Sequence, residues 1–362
     1  MTAIDVVTGA AGQDGSYLTE RLLAEGCTVH AVVRPDGSTL RPYEGTTGKL
    51  HVHALDMRRP EQYAELIRAV QPDELFNLAG QSSVSASFSD PVAAWETNAD
   101  AVQVMLEAVR RDSPHTRVFQ ASSSEMFGSP AEGVAVHDEE SALFPLSPYA
   151  AAKAAAHVLC GTYRGAYGIR VACGILFNHE SHRRPATFLT RKVADHVRRL
   201  RDGGPAALNR AEPLAVGNLA ARRDWGFAPD YVDGMMRVAR QIEVRARVLG
   251  EAPEADVARG YRDYVLGSGQ LHAVWQLVDR TFALAGLPLD WERADPDPTA
   301  WSATFAGTDV PAVRVDPGLF RPADPVAIAG DASRARTELG WHTESGLDHI
   351  LADLLRNGLG GA

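Results

Sequence analysis

Tyr149 and Lys153 stand four residues apart in SPYAAAKAAAH, a spacing that sets both on one face of a helix. Tyrosine, with an ordinary pKa of about 10, is a poor base at neutral pH. A lysine ammonium on the same face favours the phenolate and would lower that pKa. It could also reach the ribose hydroxyls of a bound cofactor. The chain holds three lysines, Lys49, Lys153 and Lys192, against thirty-three arginines. Nine tyrosines and three lysines in 362 residues would give only about 0.07 such pairs by chance. A pair that only supports a helix is therefore the weaker explanation.

Upstream lies QASSSEMFG, Gln120 to Gly128. If RVFQASS is a strand of a parallel sheet, Ser123 and Glu125 fall at its C-terminal end, where such sheets line a ligand crevice. A serine hydroxyl there can bond an alcohol being oxidised. Glu125 adds a second acid/base that simple alcohol oxidation does not need. By local sequence alone it could equally be a solvated loop carboxylate.

Thr8 to Gly15, TGAAGQDG, joins an apolar strand to an amphipathic helix. Gly9, Gly12 and Gly15 permit a tight turn, close approach of a pyrophosphate and close helix packing, with Gln13 and Asp14 opening the helix. Placed ahead of a strand–helix series, this loop indicates a dinucleotide. The next strand ends Val32-Val33-Arg34-Pro35, and Arg34 suits a 2′-phosphate, which favours NADP. Asp36 is close enough to serve as the ribose-binding acid of an NAD site instead. Asp56 ends HVHALD and is placed to reach the adenine edge.

The elements that must position these groups alternate. IDVV, TVHAVV, HVHALD, ELFNLA, RVFQASS and IRVACGILFN read as strands. SYLTERLLAEG, RRPEQYAELIRAVQ, PVAAWETNADAVQVMLEAVRR and SPYAAAKAAAHVLCGTYRGAYG read as helices. The rhythm implies a doubly wound parallel α/β sheet. It breaks after Asn178. NHESHRRPATFLTRKVADHVRRLRDGG reads as a basic loop and a helix, and RRDWGFAPDYVDGMMRVARQIE as a turn and a helix. VRARVLGEAPEADVARG looks like a solvated excursion, YRDYVLGSG a strand, LHAVWQLVDRTFALAG and SGLDHILADLLRNGL helices. His137 to Glu140 reads as a solvated loop.

The composition narrows the partners. A formal net charge of -10 argues against broad nucleic-acid or anionic-membrane binding, so an anionic ligand must be met by a local arginine cluster. No apolar run approaches bilayer length, and the start MTAIDVVTGA does not read as a signal peptide, so a cytoplasmic protein is expected. Cys27, Cys160 and Cys173 are odd in number and widely spaced, which gives no disulfide framework or zinc motif. His179, Glu180 and His182 lack the helical spacing of a metal site, and no metal is expected. Arg183, Arg184, Arg222 and Arg223, taken alone, could be ordinary surface charge.

Together these motifs resemble the extended short-chain dehydrogenase/reductase superfamily and, within it, the GDP-mannose 4,6-dehydratase family. The likeness runs over nearly the whole chain, through TGAAGQDGSYL, FNLAGQSSV, FQASSSEMFG, SPYAAAK, GILFNHESHRR, FLTRK, GNLAARRDWGFAPDYV, VDPGLFRPAD and ELGW. It implies a Rossmann domain over 1–178, completed by segments near 218–244 and 261–269. A smaller mixed α/β sugar-nucleotide lobe would cover 179–217 and 270–362. The resemblance implies that NADP, tightly held, meets Gly9, Gly12, Gln13, Asp14, Gly15, Arg34, Asp56, Met57, Leu78, Ala79, Ser82, Tyr149, Lys153, His179 and Arg184. A GDP-sugar would meet Ser85, Ser123, Glu125, Asn178, Lys192, Arg223, Arg321 and Asp324.

By the same resemblance, Tyr149 takes the C4 hydroxyl proton, Ser123 bonds the C4 oxygen, and Glu125 removes the C5 proton and expels the C6 hydroxyl. A homodimer or homotetramer is implied, through helices 91–111 and 147–168. Several positions depart from the family pattern. Ser123 replaces threonine, Ser83 and Phe227 replace histidines, Asp324 replaces glutamate, and the basic loop after the second strand becomes RPDGSTLRPYEGTTG. Segments 203–212 and 244–260 look like insertions. Hydride return to C4 instead of C6, giving a 5,6-unsaturated sugar, stays open. So do C4 epimerisation and a catalytically silent NADP-binding regulator.

Overall fold

A computed structural model describes residues 2–40, 46–128, 135–208, 210, 212–250 and 260–356. The chain begins with β1 (Ile4–Thr8), α1 (Gln13–Ala24), β2 (Thr28–Val33), β3 (Lys49–Ala54), α2 (Pro60–Val70) and β4 (Glu74–Asn77). Two short helices follow, α3 (Val84–Ser89) and α4 (Pro91–Trp95), then α5 (Ala101–Asp112) and β5 (Arg117–Ser123). Next come β6 (Ala135–His137), α6 (Pro148–Tyr167), β7 (Val171–Leu176) and β8 (Asn178–Glu180).

The remainder is α7 (Leu189–Leu208), β9 (Leu214–Val216), β10 (Arg222–Phe227), α8 (Ala228–Ala239), α9 (Gln241–Leu249) and β11 (Tyr264–Leu266). It closes with β12 (Leu271–Ala273), α10 (Val274–Leu284), β13 (Leu289–Glu292), β14 (Ser302–Phe305), β15 (Pro311–Val315), β16 (Ala327–Gly330), α11 (Ser333–Leu339) and α12 (Leu347–Arg356).

The large sheet runs β11-β7-β5-β4-β1-β2-β3, and every pairing is parallel. Its strands are apolar on both faces because helices cover both. Val7, Phe76, Phe119 and Ala172 pack with Leu18, Leu22 and Met235 of α1 and α8. Their neighbours Val6, Leu75, Val118 and Val171 pack with Ile67, Met105 and Cys160 of α2, α5 and α6. Successive residues of a strand point to opposite faces, so one apolar run feeds two cores.

A third core gathers Val193, Leu200, Trp225, Leu277, Phe282, Phe305 and Leu351. It is framed by the sheet β12-β10-β16-β6, with β8 added on β10, and by the sheet β13-β14-β15-β9.

Four local readings change. RRDWGF is a strand, not a turn, since β10 is hydrogen-bonded to β12, β16 and β8, which the arginines at its start conceal. Residues 91–112 are not one α-helix, because Glu96–Asp100 forms a π turn. The stretch after Gln241 is partly helical, with Ile242 and Val244 buried, while 251–259 lies outside the described residues. His137 and Glu139 are not solvated: His137 ends β6 and stacks on Phe127, and Glu139 accepts the Val265 N–H at 2.8 Å.

Gly9 has φ +70°, a conformation that disfavours other residues. A side chain on Gly15 would overlap the Gly9 carbonyl and stand 2.7 Å from Ala10 Cα. Both obstacles are backbone, so α1 would have to leave β1. Gly15→Ala is expected to cost about 1–3 kcal/mol in urea unfolding, as overpacking does.

At the other edge His30 stacks on His51 and His53, with centroids 4.7 and 5.1 Å apart, and His30 Nδ1 lies 2.9 Å from His53 Nε2. Burial and then its two neighbours push the His30 pKa down to about 4. The unfolded value is about 6.5, so the unfolded chain binds a proton between these limits that the folded protein does not. This contribution to stability is present above pH 6.5 and lost as pH falls toward 4. His30→Gln should flatten the decline between melts at pH 7 and pH 5.

Candidate functional site

The serine-rich end of β5 faces the first turns of α6. The α6 N-terminus is set by Ser147, whose Oγ accepts the Ala150 N–H at 3.1 Å, with Pro148 at the first helical position. Alanines at 150, 152, 154 and 156 are buried and let the helix sit close to the sheet. Tyr149 and Lys153 are 8 % and 6 % exposed. Lys153 Nζ donates to the Ala121 carbonyl at 3.0 Å and lies 5.9 Å from the Tyr149 ring centroid.

The expected lowering of the Tyr149 pKa is not what the protein's own field produces. Burial pushes Tyr149 up to about 12, with a smaller push from the Glu125 charge, while the Ser123 hydroxyl pulls the other way. Burial brings Lys153 down to about 8. The lysine is turned to a carbonyl, and desolvation outweighs its attraction for a phenolate at that distance.

A polar ladder crosses the strand ends beneath this pair. Thr8 Oγ1 accepts the Leu78 and Ala79 N–H groups at 3.0 Å each and donates to Asn77 at 2.8 Å. Asn77 donates to Gln120 at 2.8 Å, and Gln120 to the Ala121 carbonyl at 2.9 Å. The ladder thus ends on the acceptor that Lys153 uses. Asn98, in the π turn, donates to the carbonyls of Ala94 and Gln81, and its buried Oδ1 has no partner among the described residues. A side chain on Gly80 would strike Asn98 Oδ1 and lie 3.7 Å from Lys153 Nζ. Of these groups, Leu78 and Ala79 are expected from sequence as cofactor contacts, whereas Asn77, Gln120, Asn98 and Gly80 are not singled out there. The π turn is invisible to helical periodicity, and the ladder joins residues 43 and 69 positions apart.

The glycine loop meets the segment after β7. Gln13 donates to the His179 carbonyl at 3.0 Å and accepts from Ser181. His179 lies between Asp14 at 2.9 Å and the Phe177 carbonyl at 2.7 Å, and its ring stacks on Tyr231. With an acceptor at each nitrogen, its pKa is raised although burial opposes it, and that of Asp14 is lowered. Arg184 pairs with Glu180 at 3.1 Å and lies over Phe188. The α1 N-terminus has no side-chain cap, so its N–H groups point at the crevice, with Gly9 and Gly12 allowing close approach. A dinucleotide pyrophosphate fits this cradle.

Arg34 and Asp36 are paired at 3.2 Å and both exposed. Asp56 is held by Arg58 at 2.9 Å. Met57 is buried in the α2 core, while Ser82 and Ser85 are exposed around the start of α3.

Charged side chains gather beside Glu125. Ser123 Oγ accepts the Glu125 N–H at 3.3 Å, which starts a tight turn. Arg321 Nη1 is 3.5 Å from Glu125 and 3.3 Å from Asp324. Asp324 also accepts from Arg223 at 2.7 Å, and Arg223 donates to the Pro325 carbonyl. Lys192 donates to the Ala215 carbonyl at 2.9 Å, and Asn178 pairs in register with Trp225 of β10. The arrangement offers the Tyr149 phenol, the Lys153 ammonium, the Glu125 and Asp324 carboxylates and the Arg223 and Arg321 guanidiniums.

Residues 6–354 match the family model described as GDP-mannose 4,6 dehydratase. GDP-mannose 4,6-dehydratase of Sinorhizobium fredii is 34% identical over 368 residues, 98% of this chain and 96% of that protein. Among solved structures, RMD of Pseudomonas aeruginosa complexed with NADPH has a TM-score of 0.70 at 23% identity, covering 98% of each chain. UDP-glucose 4-epimerase of Thermus thermophilus in complex with NAD has a TM-score of 0.73 at 22%, covering 99% of this chain and 100% of the other. The two structures share the fold. With the family model spanning nearly every described element, this chain belongs to the GDP-mannose 4,6-dehydratase family.

Proposed function

We propose that this protein converts GDP-mannose to GDP-4-keto-6-deoxymannose, with NADP as its resident cofactor. The observation that carries the reading is Glu125, a second acid/base whose charge is felt at Tyr149. Oxidation at C4 needs one base. Elimination across C5–C6 needs another group to take a carbon-bound proton and supply one to the leaving hydroxyl. When bound, NADP supplies a hydride acceptor at C4 and a donor at C6, so the reaction has no net redox change.

Tyr149 takes the C4 hydroxyl proton while Ser123 holds that oxygen. The C4 ketone makes the C5 proton acidic, and Glu125 removes it. Glu125 then protonates the C6 hydroxyl, which leaves as water. Lys153 meets the cofactor ribose. Gly9, Gly12, Gly15 and the α1 N-terminus receive the pyrophosphate, with His179 and Arg184 alongside. Arg34 supports NADP over NAD because its guanidinium suits a 2′-phosphate, and its exposure leaves it free to leave Asp36. Arg223, Arg321 and Lys192 would face the GDP diphosphate, with Asp324 toward the nucleoside ribose.

Val92, Trp95, Val158 and Tyr167 are 65%, 44%, 56% and 56% exposed on α4 and α6, which supports a homodimer through those helices.

GDP-mannose given to the purified protein should lose one water and gain a methyl signal in the proton NMR spectrum. Vinyl protons instead would mean hydride return to C4. Unchanged mass with an altered sugar would mean epimerisation, and no turnover with cofactor bound would mean a silent regulator. Arg321→Ala should raise the KM for GDP-mannose roughly tenfold to a hundredfold, as loss of a charge-assisted bond does. An unchanged KM in initial-rate measurements would remove Arg321 from the substrate site.

A further inference from the structure

One helix face holds three residues at four-residue spacing, Tyr149, Lys153 and His157, and each engages a consecutive residue of β5. The Tyr149 phenol is bonded by Ser123, Lys153 Nζ donates to the Ala121 carbonyl at 3.0 Å, and His157 Nδ1 lies 3.1 Å from Ser122 Oγ. The first two belong to the reacting groups. The third does not, and nothing in the proposed chemistry uses it.

His157 is also anchored from behind. Its Nε2 faces the Asp263 carboxylate at 4.0 Å and the Cys173 thiol. Asp263 cannot shift, because Arg164 of α6 donates to both its oxygens at 2.8 Å and the Cys173 N–H donates to it at 2.7 Å. Cys173 is on β7, and Asp263 leads directly into β11. The imidazole therefore ties β5 to α6, β7 and β11 at once. Burial pulls its pKa down, but Cys173 and Asp263 outweigh burial and the Arg164 charge, carrying it up to about 9. The bond between His157 Nδ1 and Ser122 Oγ forms in either protonation state, because a hydroxyl can donate or accept.

We propose that His157 is a positioning residue, which clamps Ser122 and with it the Ala121–Ser123 end of β5, so that Lys153 and Tyr149 stand in register with ribose and sugar. The proposal rests on the dehydratase reading above. A metal is the competing use of the same cluster, since ligand atoms of His157, Cys173 and Asp263 lie within 4.8 Å of one another. The two Arg164 bonds to Asp263 speak against it, because a guanidinium there repels a cation.

The test uses the purified full chain with His157→Leu, His157→Gln, Ser122→Ala and the Ser122→Ala/His157→Leu double variant. His157→Leu should lower kcat about tenfold or more, as a small misplacement of reacting groups does, with the KM for GDP-mannose within about twofold. Ser122→Ala should lose a similar amount. The double variant should be no worse than either single one, because both cut the same link. His157→Gln, which keeps a donor toward Ser122, should recover most of the rate.

Additive losses would overturn the proposal. So would a lower melting temperature with unchanged kcat at 25 °C, or stoichiometric zinc in the wild type that His157→Leu loses. NADP binding, followed by protein fluorescence, separates this proposal from the wider one. If the wild type binds NADP but does not turn over GDP-mannose, the dehydratase reading fails. The clamp then stands or falls on whether His157→Leu weakens NADP binding severalfold.

Discussion

Tyr149→Phe is expected to abolish the first chemical step while leaving the fold intact. The substitution removes one oxygen from a ring that is 8 % exposed and keeps every apolar contact. The other base beside the phenol, Glu125, is assigned to the C5 proton. Lys153 is committed to the Ala121 carbonyl and stands 5.9 Å from the ring centroid, and Ser123 is a donor of ordinary acidity. General-base catalysis contributes about 10²–10⁴-fold, and kcat should fall by that factor. In a single turnover at enzyme excess, absorbance from reduced cofactor should not develop. The melting temperature should hold within a few degrees. Oxidation of C4 at the wild-type rate would assign the base elsewhere.

Glu125→Gln should fail later and in a different way. Glutamine keeps the shape and the bond that starts the turn, since that bond uses the backbone N–H of residue 125 and Ser123 Oγ. It loses the ability to take the C5 proton and the negative charge that raises Tyr149. Oxidation at C4 should therefore proceed, reduced cofactor should accumulate, and dehydrated product should appear about 10²–10³-fold more slowly. Run in deuterated water, the wild type should place deuterium at C5 of the product. The variant should leave recovered substrate unlabelled at C5. Normal dehydration with normal labelling would take Glu125 out of the mechanism. The two variants together divide the reaction at the C4 ketone.

What could be read from sequence was local. The β1–glycine loop–α1 unit, the tyrosine–lysine helix and the serines closing β5 each carry their signal within about twenty residues, where strand and helix periods are visible. β10 was missed because RRDWGF has no alternation of its own. Its place comes from Ala273, Ile328 and Asn178 on three other strands. His137 and Glu139 look solvated by type, yet Phe127 and the backbone of Val265 claim them. The tyrosine–lysine pair was legible as a pair, but its acidity was not. That depends on how deeply α6 buries it and on which carbonyl the lysine finds. His157 sits in the stretch that drew attention first, yet it gains meaning only from Asp263, 106 residues on, and Ser122, 35 residues back.

The late arrival of β11 has a consequence for biosynthesis. On the ribosome, β7 is made long before Tyr264–Leu266 and must wait with one hydrogen-bonding edge unpaired while β8, β9 and β10 are added. At about 5–20 residues per second that wait lasts roughly 5–20 seconds. During it the nascent sheet can recruit a foreign strand. The clasp of Arg164 and the Cys173 N–H on Asp263 then serves as a latch, seating the incoming segment one residue before its first paired position. Asp263→Asn should accordingly reduce soluble yield from cells more than it lowers the melting temperature of the molecules that do fold.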